Sequence, residues 1–363
     1  MIYRAIGLMS GSSMDGLDIT FAELTETGGK WSFEIIAANC MEYEVAWVQK
    51  LTAAPEMTAK DYLLLHTEYG QFIGNKVNDF IEINDLQHRV NLVASHGHTI
   101  FHFPVNKMTA QLGDGAAIAA AIKLPVVTDL RSIDIAFGGQ GAPIVPVGEK
   151  LLFAGYTYLL NLGGIANMSI NTEGTFIAFD ICACNKILNI LALKSGVPFD
   201  AEGKLADKGK INEVVLQQLN ALAYYRLPSP KSLDNSYGAS LVLPIIAEAN
   251  ITTEDALATY TEHIVLQIKA AIQNNISTAT SPELLVTGGG AFNTFLIQRL
   301  SEILLPLQIK IVVPDSKVIK FKEALIMALI GVLRWREETN VLASVTGASQ
   351  NSIGGALWLG TEA

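Results

Sequence analysis

Twice in this chain an apolar run stops at a small glycine turn, resumes as a second strand and is followed by a third, and this long-range repeat constrains the fold more than any other feature. The first copy is residues 3–24, YRAIGLMSGSSMDGLDITFAEL, with the turn Gly11-Ser12-Ser13-Met14-Asp15-Gly16, the alternation Leu17, Ile19, Phe21 after it, and a third strand over 31–38. The second runs from Tyr158-Leu159-Leu160-Asn161-Leu162 through Gly163-Gly164-Ile165-Ala166-Asn167 and Met168-Ser169-Ile170 to a third strand over 176–179. Repetition at that distance predicts a duplicated α/β domain, each half opening with a hairpin whose tip can face the other half. Two tips closing on one cleft suit a nucleoside triphosphate. In the first turn the glycines let the backbone come close, the N–H groups with the Ser12 and Ser13 hydroxyls can cradle phosphate oxygens, and Asp15 and Asp18 can hold Mg²⁺ directly or through water. The same serines, acids and glycines also suit a surface hairpin that does turn chemistry only.

A chain of 363 residues has room for two domains, and 17% charged residues, against a norm of roughly 25%, describes large apolar cores. A net charge of −10 argues against nucleic-acid and anionic-membrane partners, while a local basic pocket for a phosphorylated ligand stays compatible with it. No apolar run approaches the ~18 residues of a membrane span, and the sequence enters a strand with no charged-then-apolar leader, so the expected place is the cytoplasm. Cys40, Cys182 and Cys184 form no disulfide framework and read as buried thiols.

Between the repeats, 59–83 reads as a helix with Tyr62, Leu65, Tyr69 and Phe72 on one face. A short strand over 90–94 runs into Ser95-His96-Gly97-His98-Thr99, a hydrogen-bonding substrate loop just past a strand's carboxyl end; with His102 it tempts a metal reading, but no nearby carboxylate or thiolate completes the set. Asp114 caps a helix over 116–122, and a strand over 126–128 follows. Asp129, Arg131 and Asp134, followed by Gly138, Gly139, Gln140, Gly141 and Pro143, form a charged platform beside flexible backbone, or a linker in which Asp129 simply pairs with Arg131. In the second half Asp180 closes the third strand, Asn185 precedes a helix to 194, and 197–237 is helical in pieces. A helix over 253–274 leads to a strand over 284–287, which strikes Gly288-Gly289-Gly290-Ala291 at the mouth of another helix, an anion or nucleotide site. A strand over 309–313, a helix from Lys322-Glu323-Ala324 to 334 and a short helix over 354–359 complete the chain.

Taken in order, GSSMDGLD, SHGHT, QLGDG, TDLRSIDIAFGGQGAP, NLGGIAN, VTGGGAFN and KEAL resemble the anhydro-N-acetylmuramic acid kinases over nearly the whole chain. The resemblance implies the actin/hexokinase-like ATPase superfamily: two duplicated actin-like, ribonuclease H-like domains around a central ATP cleft, here 1–147 with 345–363, and 148–344. It implies that ATP phosphorylates O6 of 1,6-anhydro-N-acetylmuramic acid while water opens the anhydro bridge, giving N-acetylmuramic acid 6-phosphate for cell-wall recycling. On that basis Asp134 is the base. Gly11, Ser12, Ser13, Met14, Asp15, Gly16, Leu17 and Asp18 hold phosphate, and Asn161, Gly163, Gly164, Asn167, Gly288, Gly289 and Gly290 complete the nucleotide side. Asp15 and Asp180 hold Mg²⁺, and His96, Thr99, Arg131, Gly139, Gln140 and Glu323 bind the sugar. A homodimer is compatible with the family. Two stretches depart from it: FDTGPGN is replaced by Phe179-Asp180-Ile181-Cys182-Ala183-Cys184-Asn185, and PKSTGRE by Pro230-Lys231-Ser232-Leu233-Asp234-Asn235-Ser236. A superfamily kinase for a different sugar and a nucleotide-binding regulator without turnover therefore stand beside the leading reading.

Overall fold

A computed structural model describes residues 1–11, 14–172, 175–229, 231–234, 236–276 and 281–360. It divides into two compact units, Met1–Phe153 with Phe321–Ala363, and Ala154–Lys320. In chain order the first part of unit 1 holds β1 (Ile2–Ser10), β2 (Gly16–Thr27), β3 (Lys30–Glu42), α1 (Val45–Ala53), α2 (Ala59–Ile83), β4 (Leu92–Phe103), β5 (Met108–Leu112), α3 (Gly115–Ile122), β6 (Val126–Thr128), α4 (Ser132–Ala136) and α5 (Pro146–Leu152). Unit 2 holds β7 (Tyr158–Leu162), β8 (Ile165–Thr172), β9 (Thr175–Ala183), α6 (Asn185–Leu193), α7 (Glu213–Asn220), α8 (Leu243–Glu248), α9 (Thr253–Gln273), β10 (Glu283–Thr287), α10 (Thr294–Leu304) and β11 (Lys310–Val312). α11 (Ser316–Trp335), α12 (Ala343–Thr346) and β12 (Ala356–Trp358) follow.

Both sheets are built alike. In unit 1 the antiparallel meander β3-β2-β1 continues through parallel β4 and β6, with β12 added antiparallel at the edge and β5 paired to β4. In unit 2 the meander β9-β8-β7 continues through parallel β10 and β11. The same strand order in each half is the duplicated α/β architecture the repeat predicts. Ile6, Leu8, Ile19 and Phe21 bury their side chains with Tyr69, Ile73, Val77 and Phe80 of α2, whose first turn is capped by Thr58 accepting from Asp61 N at 3.2 Å. In unit 2 Leu160, Met168 and Val286 pack with Tyr260, Ile264 and Ile268 of α9 and Leu296 and Leu300 of α10. Among the described residues no helix is long and apolar enough to cross a membrane.

Four expected elements change. β4 does not stop at 94 but runs to Phe103, because β5 supplies it with a partner: His98 lies opposite Leu112 and Thr99 opposite Gln111. SHGHT is therefore strand, not a loop beyond a strand. β9 runs past Asp180 to Ala183, with Cys182 opposite Ala166 and Ala183 opposite Ile165. The 354–359 segment forms β12 rather than a helix; it pairs with the free edge of β6, and Trp358 Nε1 donates to Thr128 Oγ1 at 3.0 Å. α11 begins at Ser316, ahead of Lys322. The units divide at 153/154 and 320/321, whereas the sequence expects 147/148 and 344/345. Residues 321–335 of α11 pack on the first sheet so closely that a Cβ on Gly7 would lie 1.8 Å from Ala324 O, and one on Gly331 would lie 2.5 Å from Ala94 Cβ.

Candidate functional site

The chain leaves β6 through Asp129, whose φ of 55° turns it into the left-handed region that a short acidic side chain tolerates. Asp129 accepts from Ser132 Oγ, so it is Ser132 and not Arg131 that occupies it. Arg131 is free to reach elsewhere: its Nε donates to His96 Nε2 at 2.8 Å and its Nη1 to the Gly141 carbonyl at 2.5 Å. Because His96 Nε2 accepts, its proton sits on Nδ1, which donates to Gly97 O at 2.9 Å. Burial, reinforced by the adjacent Arg131 charge, pushes His96 down to about 3, so it is a neutral acceptor throughout the physiological range. Burial also brings Arg131 to about 10, against the stabilising charges of Glu323 and Asp134.

Asp134, on α4, is 1% exposed. One oxygen accepts from Thr346 Oγ1 at 2.6 Å and the other from Gly141 N at 2.7 Å. Gly139 folds back to donate to the Asp134 carbonyl at 2.9 Å; a Cβ there would lie 2.3 Å from the carboxylate, so no other residue fits beside it. Gln140 N donates to Thr346 O at 2.8 Å. One connected set, Gly97-His96-Arg131-Gly141-Asp134-Thr346, thus holds the acid, and Asp134, Arg131, Gly141 and Thr346 all line a cavity of ≈ 10 Å³, the space of about one water. Each carboxylate oxygen keeps a lone pair beyond those already engaged. Thr346 has no signal in the sequence, being 212 residues away from the acid it holds.

The root of the first hairpin is fixed by a second network. Ser10 Oγ, at the end of β1 and 3% exposed, meets Tyr43 OH at 2.7 Å and His98 Nδ1 at 2.8 Å, and Tyr43 OH meets Tyr69 OH at 2.5 Å. His98 is thereby committed to the hairpin, and His102 Nδ1 to Thr109 Oγ1 at 3.1 Å. Beyond Ser10, Met14 has φ 54° and Tyr43 N donates to Asp15 O at 3.3 Å. Ser12 and Ser13 lie outside the described residues. Leu17 is buried in the core, and its backbone lies in the ladder opposite Ser10 of β1 and Met41 of β3. Asp18 lies opposite Cys40 and is pushed up to about 6, first by burial and then by Asp15 and Glu323, while the Cys40 thiol opposes the shift. The Cys40 thiol itself rises to about 12, chiefly through burial. Glu323, on α11, is raised by burial and by Glu149, with Lys322 and Arg131 opposing; Lys322 Nζ in turn donates to buried Glu149 at 2.7 Å. Thr99 Oγ1 accepts from Gln111 Nε2 at 3.4 Å.

In unit 2 the two glycine turns lie side by side at the carboxyl ends of β7 and β10. Asn161 pairs with Asn167 across β7 and β8. Gly288 takes φ 79° against Asn161, where a Cβ would come within 2.6 Å of Asn161 Oδ1. Asn185 N donates to Gly163 O at 3.0 Å, Asn185 Nδ2 to Leu162 O at 2.8 Å, and a Cβ on Gly290 would meet Leu162 Cβ at 2.6 Å. Gly164 O accepts from Cys184 N at 2.8 Å, and Gly289 opens the turn that Asn293 ends by capping α10, accepting from Leu296 N at 3.0 Å. Asp180 sits within β9, its Oδ2 accepting from Leu233 N at 2.8 Å, and burial raises it.

For a divalent cation the fit rests on donor chemistry. Among the described residues no group of three or more His, Cys, Asp or Glu forms a cage. Mg²⁺ bound beside phosphates needs only one or two carboxylates, since phosphate oxygens and waters fill the rest of its shell. Asp18, raised by burial and by its acidic neighbours, occupies surroundings that a cation would relieve.

A family model described as anhydro-N-acetylmuramic acid kinase matches residues 3–360. The chain is 34% identical over 333 residues to a protein of that name from Rhodopseudomonas palustris strain BisB18, covering 84% of this chain and 86% of that one. It is 30% identical over 376 residues to one from Haemophilus influenzae, covering 97% of each. A solved structure, the activator of 2-hydroxyisocaproyl-CoA dehydratase from Clostridium difficile with bound ADPNP, is similar at a TM-score of 0.46 and 14% identity, covering 92% of this chain and 96% of that one. With the family pattern matched from the first strand through β12, the chain belongs to the anhydro-N-acetylmuramic acid kinase family of sugar kinases.

Proposed function

We propose that this kinase phosphorylates 1,6-anhydro-N-acetylmuramic acid at O6 with ATP while water opens the anhydro bridge, giving N-acetylmuramic acid 6-phosphate. The observation that carries the reading is Asp134: a buried acid, held at both oxygens by Thr346 and Gly141, beside a cavity of ≈ 10 Å³. Asp134 takes a proton from water as the water oxygen attacks C1; the C1–O6 bond breaks, O6 attacks the γ-phosphorus and ADP leaves. One acid thus serves both bond changes. Arg131, held by His96 and Gly141, orients the sugar together with the backbone of Gly139 and Gln140, with Thr99 and Glu323 as further sugar contacts. Gly11, Met14, Gly16, Leu17 and Asp18, with Ser12 and Ser13, are assigned to the phosphate side. Asn161, Gly163, Gly164, Asn167, Gly288, Gly289 and Gly290 bind the nucleotide. Asp15 in unit 1 and Asp180 in unit 2 are the carboxylates assigned to Mg²⁺, which when bound would neutralise phosphate charge. The reaction belongs to cell-wall recycling in the cytoplasm.

A second reading, a kinase for a different sugar, is favoured by one observation. The 181–184 stretch, where family members carry glycines, is here buried strand and strand end, with Cys182 and Cys184 fully enclosed. Incubation of the protein with ATP, Mg²⁺ and a panel of anhydro-N-acetylmuramic acid, levoglucosan and linear hexoses separates the two. A 6-phosphosugar formed fastest from anhydro-N-acetylmuramic acid is the expected result. Faster transfer to levoglucosan or to a linear hexose establishes the second reading instead.

A further inference from the structure

Unit 2 contains a cavity of ≈ 440 Å³, within the size range of small-molecule sites, that no part of the proposed reaction uses. It lies between β9, the turn Ala223–Arg226 with the stretch after it, and the last turns of α9. Its charge is what distinguishes it. Arg226 and Lys231 line it and no lining residue is acidic, although the chain carries 35 acids against 25 bases. Neither cation has an ion pair among the described residues: Arg226 is exposed at the rim, and Lys231 Nζ donates to Tyr224 O at 3.0 Å while standing 4.4 Å over the Tyr224 ring. Two acids stand close in sequence to the lining and both are engaged: Asp180, between Phe179 and Ile181, accepts from Leu233 N at 2.8 Å, and Asp234, three residues past Lys231, accepts from Ser236 N at 2.7 Å. Burial lowers Lys231, as it does for a cation short of counter-charge. The remaining walls combine the Phe179 and Tyr225 rings with Gln267 and Asn274 amides; Gln267 gives Nε2 to Asn220 at 2.8 Å and keeps its carbonyl oxygen.

We propose that this pocket binds a small organic anion, a phosphate ester or carboxylate carried on a sugar-sized polar body. Arg226 and Lys231 take the anion through charge-assisted bonds, the amides take hydroxyls, and the aromatic walls take the apolar face of the ring. None of its lining residues has a role in the catalytic reading.

Isothermal titration without nucleotide tests it, using N-acetylglucosamine 6-phosphate, glucuronate, neutral N-acetylglucosamine and inorganic phosphate as probes. One saturable site for the phosphate ester or for glucuronate is expected, and whichever binds more tightly identifies the anion. Lys231→Met and Arg226→Met should each weaken it about tenfold, neutral N-acetylglucosamine and inorganic phosphate should bind about tenfold more weakly, and Lys231→Arg should retain binding. Superimposable melting curves show that the variants fold, and Asp134→Asn should bind as wild type does. The proposal is overturned by an absence of saturable binding for both organic anions, by equal affinity in the methionine variants, by a neutral sugar binding as tightly, or by loss of binding in Asp134→Asn.

Discussion

Asp134 receives its two donors from residues 7 and 212 positions away, so its orientation is a product of tertiary structure. Removing the more distant donor in Thr346→Val should leave ATP affinity within about twofold of wild type and lower kcat by about tenfold, the worth of one hydrogen bond to a charged group. Steady-state kinetics with ATP and sugar varied separately read this split. Asp18 offers a test in pH. Its folded value, about 6, lies above its ordinary 3.8, so the folded state holds the proton more tightly. The stability that follows is complete below 3.8, is lost as pH rises from there through about 6, and is absent above. Asp18→Asn should therefore melt higher than wild type at pH 8 and match it below pH ~4. Equal melting shifts at both pH values would contradict the assignment. Asp134, Arg131 and the glycines beside them were legible as a charged platform after a strand. Thr346, Tyr43, Tyr69 and Ser10 were not, since a hydroxyl's role is set by what the fold brings within about 3 Å of it.

Elements with strong periodicity were readable from sequence alone. α2 buries one apolar face and α9 is enclosed on every side over 256–265; both begin at threonine caps and coincide with the expected spans to within a residue. The elements that differ are those whose pattern is broken by chemistry. His, Gly and Thr interrupt β4, and it persists because β5 pairs with it. Three residues of β12 carry too short a pattern to tell strand from helix, and the free edge of β6 decides. In β9 the apolar side chains of Ile181, Cys182 and Ala183 continue the strand past Asp180 into the core. Cys182→Gly should cost about 1–3 kcal/mol in denaturant unfolding, through lost packing and added chain entropy. A neutral effect would show that this segment does not depend on its packed strand. Gly7→Ala, placing a Cβ 1.8 Å from Ala324 O, should destabilise by about 1–3 kcal/mol or more. Gly29→Ala, with open space around it, should cost less than the backbone clash at Gly7.

At the scale of the molecule, the repeated hairpin was the most informative feature, and it returns as the same strand order in both sheets. What the repeat could not reveal is where the chain changes units: the division falls at 320/321 inside α11, ahead of Lys322 where the sequence pattern starts the helix. A non-hydrolysable ATP analogue with Mg²⁺ should raise the melting temperature by mass action on the folded state, and EDTA should remove most of that gain. A gain indifferent to EDTA would dismiss the magnesium assignment of Asp15 and Asp180.

The central claim is that a single acid activates water at one end of the sugar ether and so releases the nucleophile for phosphoryl transfer at the other. Turnover of ATP and 1,6-anhydro-N-acetylmuramic acid by Asp134→Asn, with ATP affinity measured on the same preparation, tests it most directly. The account predicts ATP binding within about twofold of wild type and a kcat reduced by about 10³ or more, in the upper range for loss of a general base. Comparable kcat values for the two proteins would contradict it.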